Sequence, residues 1–133
     1  MRGYIAVDFD GTLVTYETWR GIEHVGEPIQ PMVARVRAWL AQGWEVRIMT
    51  NRVAGADSRQ AVEGAKTDPR WNELRDVDRA REVVQRWCEQ HLGVRLVVQN
   101  HKTGDMVELW DDRAVQVERN TGRVIGYSTR DDA

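Results

Sequence analysis

Residues 3–9 read GYIAVDF, a nearly continuous apolar run that ends in charge. A strand with one wet face alternates apolar and polar residues; a strand apolar at successive positions is buried on both faces, as in parallel sheets covered by helices. The run therefore predicts an α/β fold with a central, mainly parallel sheet. Side chains alternate along a strand, so Asp8 and Asp10 are expected on one side and Phe9 on the other, turned into the core.

The segments that follow have the same rhythm. From residue 14 to 30 the chain is polar, punctuated by Gly21, Gly26 and Pro28, and reads as a loop or small hairpin excursion over the strand end. Pro31 opens a helix with Met32, Val33, Val36, Trp39 and Leu40 at helical spacing, and Gly43 stands where its C-terminus is expected. WEVRIMT is a second strand ending at Thr50, and strand, helix, strand predicts a right-handed parallel crossover. Residues 51–78 form a small insertion or loop, with a short helix expected near residues 58–65. Asp78 is expected to cap a further helix with Ala80, Val83, Val84, Trp87, Cys88, His91 and Leu92 as its apolar stripe and Gly93 closing it. VRLVV and MVELW read as short strands, and AVQVERNTGRVIGY alternates around an NTG turn as a C-terminal β-hairpin.

At 133 residues the chain is expected to form a single domain over 1–133. A net charge of −2 gives no reason to expect a broad polyanion-binding surface. No run approaches the roughly 20 apolar residues of a membrane helix, and the first residues lack a secretory pattern, which predicts a cytoplasmic protein without a membrane partner. Cys88 is the only cysteine, so no intramolecular disulfide is possible and a structural zinc site is not expected. Of the six tryptophans, several fall at apolar helical positions and are read as large core side chains, and none is assigned chemistry.

Chemistry gathers at the strand ends: Asp8 and Asp10 after the first, Thr50 after the second, His101 and Lys102 beyond the third, Asp111 and Asp112 after the fourth. Ligands of parallel α/β sheets bind at these carboxyl ends. Two carboxylates about 4 Å apart at an effective dielectric near 20 repel by roughly 4 kcal/mol, so several together call for a cation. Magnesium, which takes one or two carboxylates, waters and a substrate phosphate, suits such a set, and Thr50 and Lys102 suit the phosphate.

Asp8-Phe9-Asp10-Gly11-Thr12-Leu13 resembles the DxDGT signature of the haloacid dehalogenase superfamily, phosphatase branch. Thr50, Lys102 and the Asp111-Asp112 pair resemble its second, third and fourth motifs, in order. A response-regulator receiver combines similar residues, but there the phosphoacceptor follows an earlier acidic pair, whereas here DxDGT comes first.

The resemblance implies a Rossmann-like three-layer sandwich and a magnesium-dependent phosphomonoester hydrolase of minimal cap. In it Asp8 is the nucleophile, forming an aspartyl-phosphate, and Asp10 protonates the leaving oxygen and then activates water. One Asp8 oxygen, the Asp10 carbonyl and Asp111 hold Mg2+, with Asp112 a direct or water-mediated ligand. Thr50, the Asn51 amide and Lys102 grip the phosphoryl group, and Gly11 turns the chain and exposes its amide to phosphate. The expected partner is a phosphorylated small molecule or a nucleic-acid end. Alternatives are a fold-retaining binding or regulatory module with little turnover and a phosphomutase, which ordinarily needs a closing cap. Arg52, Arg113, His24 and His101 are left as structural or solvated residues.

Overall fold

The computed structural model describes residues 2–54, 76–126 and 130. The short helix expected near residues 58–65 lies outside them. Strand β1 (Tyr4–Asp8) is followed by helix α1 (Gln30–Ala41), strand β2 (Glu45–Met49) and a single 3-10 turn at Asn51–Val53. Helix α2 (Val77–Leu92) leads to strands β3 (Val97–Gln99) and β4 (Met106–Trp110), and β5 (Gln116–Val117) pairs antiparallel with β6 (Val124–Ile125).

The first four strands form one parallel sheet in the order β3-β2-β1-β4. Asp8 stands level with Met49 of β2, and Val7 with Trp110 of β4. β1 is central, flanked by β2 and β4, and Tyr4 through Val7 are all buried, as its unbroken apolar run requires.

Only one face of the sheet is covered by described helices. Ile5, Val7 and Phe9 of the first strand region, Val46 and Ile48 of β2, and Val98 of β3 pack in one cluster with Met32, Val33 and Val36 of α1 and Val84, Trp87 and Cys88 of α2. Phe9 meets Trp87 edge to face, with centroids 5.2 Å apart and planes at 86°. The opposite face carries polar cover instead. Arg47 lies 3.9 Å over the Tyr4 ring. The Tyr4 hydroxyl accepts from Gln99 Nε2 (3.2 Å) and from the Thr103 backbone N–H (3.1 Å). The six residues between β3 and β4 thus cross the sheet at Tyr4 without a helix, and Val97 and Val107 remain about half exposed. Among the described residues both helices lie on one face of the sheet, and this connection is too short to hold a helix over the other.

Both helices end as their residues dictate. Gly43, just beyond α1, has φ +86°, and Gly93 closes α2 at φ +82°. The N-cap of α2 is Asp76, whose Oδ1 accepts the Arg79 N–H at 3.1 Å. Asp78, expected as the cap, instead lies in the first turn, where its charge still complements the helix dipole. The strand expected over VRLVV contracts to Val97–Gln99. No described helix is long and apolar enough to cross a membrane.

The excursion after β1 is a loop with a closed neck. Thr15 N–H donates to the Glu27 carbonyl (2.9 Å), Glu27 N–H to Thr15 Oγ1 (2.9 Å), and Ile29 N–H to the Leu13 carbonyl (2.8 Å). At this neck a Cβ on Gly26 would stand 1.9 Å from the Thr15 carbonyl oxygen, so no other residue fits without moving the backbone.

Candidate active site

The carboxyl edge of the sheet brings Asp8, Asp111 and Asp112 together: each offers a carboxylate oxygen, all within 4.8 Å of one another. β1 carries the first, and the turn after its neighbour β4 carries the other two. Thr12 ties them. Its Oγ1 accepts the Asp112 N–H at 3.1 Å and lies 3.3 Å from Asp8 Oδ2 and 3.2 Å from Asp112 Oδ1, so its single proton serves one carboxylate at a time. Asp111 Oδ1 accepts the Arg113 N–H at 2.7 Å, which fixes the turn.

These acids crowd one another. Burial, then the bond shared with the Asp112 carboxyl, then the charge of Asp111, push the Asp8 carboxyl up to about 8 from 3.8. A carboxyl so placed is held protonated near neutrality unless a cation offsets its neighbours. Three carboxylate oxygens this close could hold a hard divalent cation, with magnesium's shorter bonds requiring them to draw slightly together.

Gly11 has the close approach expected of it, but with a different partner. Its φ is +90°, and an added Cβ would stand 2.6 Å from Asp112 Oδ2. Its amide donates to the Val14 carbonyl at 2.8 Å. The expectation that this N–H is offered to phosphate is therefore corrected: the tight turn of residues 9–14 consumes it.

Asp10 points away from this cluster. Arg52 Nε meets its Oδ2 at 2.7 Å and Arg52 Nη2 its Oδ1 at 2.9 Å, a two-pronged ion pair with the guanidinium side chain only 4% exposed. The same guanidinium donates to the carbonyls of Ile22 (3.0 Å) and His24 (2.9 Å) in the excursion. It lies 5.4 Å over the Phe9 ring and 5.1 Å over the Trp19 ring. Arg52, left in the sequence as a structural or solvated residue, is the structural one: it joins the first motif, the end of β2 and the excursion.

Thr50 ends β2 almost fully buried; its N–H donates to the Gln99 carbonyl (2.8 Å), and its Oγ1 accepts the Arg52 N–H (3.2 Å). That hydrogen bond starts the 3-10 turn, whose first residue, Asn51, is exposed. Lys102 lies in the crossover beyond β3, exposed and without a hydrogen-bond or ion-pair partner among the described residues. His101 is exposed beside it. Thr12 and Arg52 are the residues sequence reasoning missed. Thr12 stood in plain view inside DFDGT, and its hydroxyl was the available signal.

No family model matches the chain, and neither a curated protein nor a solved structure matches it. The reading of the site rests on its own chemistry.

Proposed function

We propose that the chain is a magnesium-dependent phosphomonoester hydrolase of the haloacid dehalogenase type, acting through an aspartyl-phosphate on Asp8. The observation that carries this reading is the convergence of Asp8, Asp111 and Asp112 within 4.8 Å at the carboxyl edge of a parallel sheet. A sheet with the nucleophile strand central and the acidic pair on its neighbour supports the family's fold as well as its chemistry.

In this reading Asp8 and Asp111 would hold Mg2+ together with the Asp10 carbonyl, with Asp112 a direct or water-mediated ligand. The bound ion would offset the charge of substrate and carboxylates and keep Asp8 ionised. An Asp8 oxygen attacks phosphorus, the bond to the leaving oxygen breaks, and that oxygen takes a proton from Asp10. Asp10 then removes a proton from water, which displaces phosphate and restores Asp8. Thr50, the Asn51 amide and Lys102 orient the phosphoryl oxygens.

The test is phosphate release from nucleotides, sugar phosphates, phosphorylated oligonucleotides and p-nitrophenyl phosphate, with magnesium and with chelator, for the parent chain and Asp8→Asn. Magnesium-dependent release lost in Asp8→Asn is expected; equal inertness of both proteins across the panel would sink the hydrolase reading. One observation favours a second reading, a metal-dependent phosphate-binding module with little turnover. Both Asp10 oxygens are held by Arg52, so the proton carrier must loosen before it serves a leaving group. Magnesium-dependent binding of inorganic phosphate without release from any ester would favour the module.

A further inference from the structure

A cavity of about 290 Å³ lies beneath the 15–27 excursion, with Asp10 and Arg52 in its wall. We infer that it receives the leaving group, and that this group is the nucleoside of a mononucleotide; the inference rests on the hydrolase reading above. Asp10 hands its proton to the leaving oxygen in that reading, so whatever hangs from that oxygen must lie on the Asp10 side of the site. The cavity is the space there.

Its size and lining narrow the occupant. The volume is near the lower end of small-molecule pockets, which suits a single nucleoside-sized group rather than a chain of them. Tyr16 and Trp19 line it with flat aromatic surface, of the kind on which bases stack. The charge of the lining points the same way. Asp10, Glu17 and Glu27 face Arg20 and Arg52, and Arg52 is already committed to Asp10. Three acids against two bases repel further phosphates, which sets a mononucleotide above a polynucleotide end or a bisphosphate.

Two measurements test this. The first compares kcat/KM for the four common nucleoside 5′-monophosphates with ribose 5-phosphate, which differs only in lacking the base, and with a 5′-phosphorylated oligonucleotide. At least one mononucleotide is expected to exceed both by about ten-fold, and Trp19→Phe to shrink that preference mainly through KM. Ribose 5-phosphate or the oligonucleotide hydrolysed as well as every mononucleotide would overturn the inference while leaving the hydrolase reading standing.

The second measurement needs no turnover. The indole N–H resonance of Trp19 is followed while uncharged nucleosides, or ribose alone, are added to the magnesium-loaded protein. Movement with a nucleoside and not with ribose is expected. No movement with any of the four would overturn the assignment even if p-nitrophenyl phosphate is hydrolysed; failure to hydrolyse any ester strikes the hydrolase reading instead.

Discussion

The Asp8 charge is opposed from three directions: by burial, by Asp112 and by Asp111. Its folded value near 8 lies above its ordinary 3.8, so the native state binds that proton more tightly than the unfolded one. The stabilisation is complete below about pH 4 and is lost as pH rises through about 8. In chelator, the unfolding midpoint is expected to fall across this window for the parent chain, more flatly for Asp8→Asn, and magnesium should restore most at the alkaline end. A parent profile that rises from pH 4 to 8, or matches that of Asp8→Asn, would refute the crowding of these acids. Gly11→Ala tests the same contact from the other side. With φ at +90° and Asp112 Oδ2 at 2.6 Å, it should cost about 1–3 kcal/mol and weaken magnesium binding, as read by denaturant unfolding and calorimetric titration. The sequence showed the acids but not their company. DFDGT and the acidic pair carry distinctive spacing, whereas an arginine after a strand end is indistinguishable from the many that only meet solvent.

Between elements, Arg52 ties the excursion, the first motif and the turn after β2 through one guanidinium. Arg52→Met leaves the Asp10 carboxylate without its partner in a site largely shielded from water, and is expected to cost about 3–5 kcal/mol. Arg52→Lys keeps the charge but loses the fork, and should fall between parent and Met in urea unfolding. A loss below about 1 kcal/mol for both would show the pair to be dispensable. At the start of α2, Asp76→Ala should cost about 1 kcal/mol by removing the cap, and Asp78→Ala only a few tenths. The helices and inner strands were legible because their apolar periods match their burial: Val46 and Ile48 are buried while Glu45 is exposed. That same alternation was the available sign that the described helices cover only one face of β2, and the unbroken run of β1 masked it. β1 owes its double burial to a central position and to the crossover at Tyr4.

At the scale of the molecule, the sheet carries both described helices on one face, and its carboxyl edge collects groups from opposite ends of the chain. Divalent-ion binding there should stabilise the whole domain. At about 100 times its dissociation constant, magnesium is expected to add about 2.7 kcal/mol, visible as a higher unfolding midpoint than in chelator. No shift at millimolar magnesium would remove the cation from the site. The bond between Thr12 and Asp112 spans 100 positions of sequence, and β4, which delivers Asp112, is the last strand to join the sheet and sits at its edge. During synthesis, then, Asp8 leaves the ribosome about a hundred residues ahead of Asp111 and Asp112, with Asp10 as its near acid. A copy cut short before β4 would lack both Asp111 and Asp112, and so, in the reading proposed above, the carboxylate pair that completes the metal site.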